Sequence, residues 1–181
     1  MNIPNLITLL RIILVPVIVI LLIQGFFLKA LIVFIIAGLS DALDGFLARV
    51  LNQQTVLGAY LDPIADKALL ASTFVTLSVL HVIPGWLTVI VISRDFIILL
   101  GISVLSIMSV SVEIRPLFIS KITTAVQLTA VLLALFARCL PEGIHPIWLN
   151  TIYWVTALFT IVSGLQYMSR GLKLMNHDTK K

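Results

Sequence analysis

Charge is scarce in this chain. Of its 181 residues, 12 are lysine or arginine and 8 are aspartate or glutamate, so charged residues make up 11%. A soluble globular domain carries about a quarter, and the shortfall argues against one. Cysteine is scarcer still. Cys139 stands alone, which excludes an internal disulfide framework and a thiolate metal cluster and leaves it as an incidental small apolar residue. The three histidines, His81, His145 and His177, fall at helix ends or in the tail, far from one another, so a histidine metal site is rejected. No internal repeat or low-complexity segment is present. The first apolar run lacks both a basic leader and a small-residue cleavage site, and is expected to be a retained transmembrane helix.

What the chain has in abundance is hydrocarbon. Hydrophobic residues make up 60% of it, with a mean hydropathy of +1.16. The apolar runs exceed the roughly 18 residues that cross a bilayer, and they read as helices rather than alternating strands. The expectation is an all-α integral membrane protein, one domain over residues 1–181, with six transmembrane helices at about 6–27, 29–50, 60–81, 85–108, 117–138 and 147–169. Breaks fall at Gln24-Gly25, Asn52-Gln53-Gln54, Pro84-Gly85, Arg115-Pro116 and Pro141–Pro146. Pro4 suits a first helical turn, and the segment Asn2–Asn5 reads as lying along the membrane interface.

The net charge of +4 does not point to nucleic acid, because the basic residues sit at helix ends with no basic stripe or aromatic platform. With a cytoplasmic N-terminus, the cytoplasmic side carries Arg11, Arg49, Lys67, Arg115, Lys121, Arg170, Lys173, Lys180 and Lys181, and the other side only Lys29 and Arg138. The positive-inside rule therefore places both termini and the loop near residue 53 in the cytoplasm of a multi-pass protein of the cell inner membrane or its equivalent. Trp86, Trp148, Tyr153 and Trp154 fall at the opposite ends of spans four and six, as an aromatic belt would. The tail Arg170–Lys181 reads as a solvated basic end that touches anionic lipid.

Four of the eight acidic residues lie between Asp41 and Asp66, where a carboxylate at membrane depth is expensive. Asp41 and Asp44 are three apart, Asp62 and Asp66 four apart, so each pair shares a helix face. In an antiparallel hairpin turning near residue 53, Asp44 is expected opposite Asp62 and Asp41 opposite Asp66, close to the cytoplasmic surface. Only Arg49 and Lys67 are near in sequence, too few to neutralise four carboxylates. An oxygen-only donor set favours Mg²⁺ or Mn²⁺, and two such ions about 3.5–4 Å apart would form a phosphoryl-transfer site. Gly45 and Gly58 would let a nucleotide approach the backbone, and Arg49 can bridge phosphate oxygens or serve as a membrane anchor. A cation relay in a small transporter is the competing class, and an inactive scaffold a third.

The spacing Asp41-x2-Asp44-Gly45-x2-Ala48-Arg49-x8-Gly58-x3-Asp62-x3-Asp66 resembles the CDP-alcohol phosphatidyltransferase family over essentially the whole chain. The resemblance implies attack of an alcohol on the phosphorus of CDP-diacylglycerol, with CMP leaving. It implies that Asp41, Asp44, Asp62 and Asp66 hold two Mg²⁺ or Mn²⁺ ions and that Asp66 is the catalytic base. Asp41, Gly45, Ala48, Arg49 and Gly58 then line the CDP pocket near the cytoplasmic face. A homodimer is common in the family.

The acceptor must be read elsewhere. Asn2-Ile3-Pro4-Asn5 with Thr8 and Arg11 is similar to the branch that makes anionic glycerophospholipids. Arg94, Arg115 and Lys121 are the candidate acceptor contacts, with an Arg94–Asp95 ion pair as the structural alternative. Lys121, Thr124 and Gln127 are expected to share a helix face. Members acting on glycerol-3-phosphate typically carry two further cations here. The pattern Arg115-Pro116 with Ser120-Lys121-x-x-Thr124-Ala125-x-Gln127 is similar to cardiolipin-forming members instead. Phosphatidylglycerol is therefore the favoured acceptor and sn-glycerol-3-phosphate the alternative.

Overall fold

The computed structural model describes the backbone of residues 3–50, 56–107, 118–140 and 145–178, and side chains over 9–40, 65–101, 119–140 and 145–171. All of the regular structure in the described residues is helical: α1 (Ile3–Ile23), α2 (Phe27–Val50), α3 (Val56–Val79), α4 (Gly85–Ile107), α5 (Phe118–Cys139) and α6 (Pro146–Asp178). These helices match the predicted apolar segments at every boundary to within a turn or so, except the last. The helix was expected to stop at 169 and runs to Asp178, so the basic tail is largely a continuation of α6.

Among the described residues, two helical stretches are long and apolar enough to cross a membrane, Ile119–Cys139 and Pro146–Gly171, with shorter apolar stretches at Leu9–Ile23 and Phe27–Ser40. The outward faces are apolar as well. On α1, Ile12, Ile13, Val17 and Ile20 are exposed while Arg11, Ile18 and Leu22 are buried. A helix on the surface of a soluble protein shows a polar outer face; here hydrocarbon lies on both sides.

The chain divides into two compact units, residues 1–85 with 131–144, and residues 86–130 with 145–181. In the first, α1 packs against both α2 and α3. Its buried stripe is matched on α2 by Ala30, Phe34 and Ala37 and on α3 by Leu70, Phe74 and Leu77. Spacings of three and four residues produce these stripes. In the second unit, α4 contributes Leu87, Val91, Arg94 and Ile98 at the same spacing.

Two helix ends share one termination. After α1, the amide of Gly25 donates to the carbonyl of Leu22 and that of Phe26 to Leu21; after α3, the amide of His81 donates to Ser78 and that of Val82 to Leu77. Each pair of bonds is a Schellman cap, whose pivot residue is left-handed. Gly25 takes φ 77° there at no steric cost, whereas His81 takes φ 55° with a side chain.

Candidate active site

Asp66 sits on α3 in the stripe that continues through Leu70, Phe74 and Leu77. Its partner comes from 55 residues away. Arg11 Nη1 on α1 donates to Asp66 Oδ1, the guanidinium fully buried and the carboxylate 38% exposed. An unpaired cation in this interior would cost several kcal/mol, so the fold places Arg11 on an otherwise apolar stripe only together with a carboxylate. Sequence reasoning counted Arg11 as a cytoplasmic charge and found only Arg49 and Lys67 near the carboxylates, too few to neutralise four. α1 adds a cation from a distance, hydrogen-bonded to Asp66. The signal was present: position 11 precedes Ile18 and Leu22 by seven and eleven residues, two and three helical turns along the same face.

The backbone at 41–50 and 56–62 is helical. The side chains of Asp41, Asp44, Ala48, Arg49 and Asp62, the surroundings of Gly45 and Gly58, and the turn at 51–55 lie outside the described residues. The expected pairing of Asp44 with Asp62 and of Asp41 with Asp66 falls there too. By register alone, steps of four, three, four and three from Ala30 lead through Phe34 and Ala37 to positions 41 and 44. Among the described residues no group of three or more His, Cys, Asp or Glu is positioned to hold a metal. Asp66 fits a hard divalent ion in two respects: its donors are carboxylate oxygens, and it is the partly exposed member of its ion pair.

Arg94 is the other buried cation among the described residues, 5% exposed. Nη1 donates to Asp95 Oδ1 at 2.6 Å, and Nη2 to Ser120 Oγ at 2.6 Å and Ser163 Oγ at 3.0 Å. Nε–H has no hydrogen-bond partner. The side-chain stem passes Gly164, where an added Cβ would stand 3.6 Å from Arg94 Cγ, and the guanidinium carbon lies 6.0 Å from the centre of the Tyr167 ring. One arginine thus ties α4 to α5 and α6. Sequence reasoning named the Arg94–Asp95 pair but not the two serines, 26 and 69 residues away.

Of the other candidate acceptor contacts, Lys121 is exposed on the residue next to Ser120, and Arg115 lies outside the described residues. The expected common face of Lys121, Thr124 and Gln127 separates in the structure. Lys121 is exposed, Thr124 intermediate and Gln127 buried, because two steps of three residues rotate the helix well away from its starting direction. The inward face is instead half-buried Ser120 with buried Thr123 and Gln127. Thr123 Oγ1 donates to the carbonyl of Phe159 at 3.1 Å, and Gln127 Nε2 to Thr160 Oγ1 at 3.1 Å. At the start of α4, Trp86 and Trp154 are in ring contact, centroids 4.9 Å apart. Tyr153 is buried and so does not share the exposed setting expected of a belt residue.

A chain whose described residues are helical with hydrocarbon on their exposed faces, and whose buried arginines are ion-paired, belongs with proteins whose solvent is in large part lipid. The sequence model of the CDP-alcohol phosphatidyltransferases matches residues 1–162. Cardiolipin synthases (CMP-forming) of Rattus norvegicus and Homo sapiens are each 36% identical across 95% of this chain, which spans about 62% of their length. The CDP-diacylglycerol–glycerol-3-phosphate 3-phosphatidyltransferase of Bacillus subtilis (strain 168) is 34% identical across 94% of this chain and 95% of its own. The chain belongs to the CDP-alcohol phosphatidyltransferase family.

Proposed function

We propose that this protein is a membrane phosphatidyltransferase of anionic phospholipid synthesis, which moves the phosphatidyl group of CDP-diacylglycerol to a glycerol-type hydroxyl and releases CMP. The observation that carries the reading is the complete aspartate–glycine–arginine spacing from Asp41 to Asp66, inside the matched span. In the reaction, the acceptor oxygen forms a bond to the phosphorus bearing diacylglycerol, the bond from that phosphorus to the CMP oxygen breaks, and Asp66 takes the hydroxyl proton. Asp41, Asp44, Asp62 and Asp66 would hold two Mg²⁺ or Mn²⁺ ions, which when bound neutralise the charge that develops on the diphosphate. Asp41, Gly45, Ala48, Arg49 and Gly58 hold the CDP moiety. The helices form six membrane spans with both termini and the carboxylates on the cytoplasmic side, in line with the lysine and arginine distribution.

Phosphatidylglycerol is the favoured acceptor, making cardiolipin the product. Arg94, Arg115 and Lys121 form the acceptor side. Arg94 is already neutralised in part by Asp95 and offers Nε–H, and Lys121 offers an exposed ammonium. Such a set suits the single charge of a phosphodiester better than the dianion of a phosphomonoester. The second reading, with sn-glycerol-3-phosphate as acceptor, is favoured by the Bacillus relative, matched over nearly its full length. The deciding experiment offers both acceptors to the detergent-solubilised protein with labelled CDP-diacylglycerol and Mn²⁺, resolving products by mass spectrometry. Cardiolipin and CMP are expected. Product formed only from glycerol-3-phosphate overturns the acceptor, and ion flux in liposomes without CMP release overturns the enzyme.

A further inference from the structure

We infer that Arg11 is a positioning residue for Asp66, supplied by the helix that carries none of the aspartate motif. The inference rests on the reading of Asp66 as a site residue. α1 packs against both α2 and α3, the helices that bear the aspartates, and Arg11 is the fully buried charged residue on its inward stripe with Ile18 and Leu22. Nη1 of Arg11 engages Oδ1 of Asp66. A guanidinium is planar and donates along fixed directions, so this bond restricts rotation of the carboxylate as well as balancing its charge. The carboxylate is nonetheless 38% exposed while the arginine is fully enclosed. Arg11 therefore braces the carboxylate from the protein side while part of it stays exposed. A residue that serves only to fill the core would be apolar here, as its stripe neighbours are, and an anchor for anionic headgroups would be exposed.

This arrangement makes a signed prediction about metal affinity. Arg11 carries positive charge against a carboxylate that also serves a divalent cation. Removing it relieves cation–cation repulsion but frees the carboxylate to rotate. In full-length protein in detergent, R11Q is therefore expected to bind Mn²⁺ more tightly, by about threefold or more, by electron paramagnetic resonance titration of the free ion. Its kcat should fall by about a hundredfold for want of a held carboxylate, with KM for CDP-diacylglycerol changed far less. R11K keeps the charge without the planar fork, so its Mn²⁺ affinity should stay near that of the unaltered protein while kcat recovers only in part. Because Arg11 positions Asp66, adding R11Q to D66N should lower residual turnover no further.

A kcat for R11Q equal to that of the unaltered protein, while D66N is inactive, overturns the role of Arg11 alone. So does a loss of Mn²⁺ affinity and of thermal stability in the same proportion, which marks a residue that merely holds α1 in place. Should R11Q not yield folded protein, R11K decides: full turnover in R11K overturns the role, and reduced turnover with unchanged Mn²⁺ affinity supports it. Retention of both turnover and Mn²⁺ binding by D66N overturns the underlying site reading instead.

Discussion

Replacing Asp95 by asparagine tests the charge logic of the buried Arg94 node. In the structure Arg94 is 5% exposed and Asp95 16%, with Nη1 and Oδ1 2.6 Å apart. Asparagine preserves size and one carbonyl acceptor but removes the countercharge, leaving a cation whose remaining side-chain acceptors, Ser120 Oγ and Ser163 Oγ, both crowd onto Nη2. Breaking a buried pair by removing one partner costs about 3–5 kcal/mol. The retained acceptor restores about 1 kcal/mol, so a net loss of about 2–4 kcal/mol is expected. For a chain of 181 residues, each kcal/mol moves the melting temperature by about 2–4 °C, so D95N should melt about 4–16 °C lower in a detergent-based thermal unfolding assay. Removing both charges as R94M/D95N should recover most of that loss, because no lone ion then stays buried. The reasoning is refuted if D95N melts within about 1 °C of the unaltered protein, or if the double variant is no more stable than D95N.

Three further outcomes follow from local geometry. An alanine at Gly164 meets Arg94 Cγ at ordinary contact distance and should melt within about 2 °C of the unaltered protein, whereas leucine there must displace Arg94 and cost about 2–3 kcal/mol in the same assay. At the two Schellman caps the signs are opposite. G25A, which meets nothing within 4 Å but must take φ 77°, should destabilise by about 1 kcal/mol, while H81G should stabilise by a few tenths to about 1 kcal/mol, both read as melting shifts. Asp41→Asn and Asp62→Asn should each lower CMP release by about a thousandfold or more, and chelation of divalent ions should abolish it until Mn²⁺ is restored, as followed by the release of labelled CMP. A chelator-resistant reaction sinks the metal assignment.

Much of the architecture was legible one helix at a time. The caps at Gly25 and near Pro84-Gly85, and the long apolar runs, are local signals, and a helix reads them within a turn or two of chain. What was misread also has a local cause. Steps of three residues looked like one face for Lys121, Thr124 and Gln127, but the angular drift puts Gln127 against Thr160 and leaves Lys121 outside. The last helix was expected to end near 169, and α6 continues to Asp178.

The aspartate motif, the family and the order of the helices were determined by the sequence alone, because spacing along a helix is a property of neighbouring residues. The distant partners of the buried arginines were decided only by tertiary structure. Arg11 reaches Asp66 across 55 residues and Arg94 reaches Ser163 across 69. Composition shows only that both arginines are costly in an apolar chain. Which carboxylate or hydroxyl repays that desolvation depends on which helices pack together and in what register, information that no single helix contains.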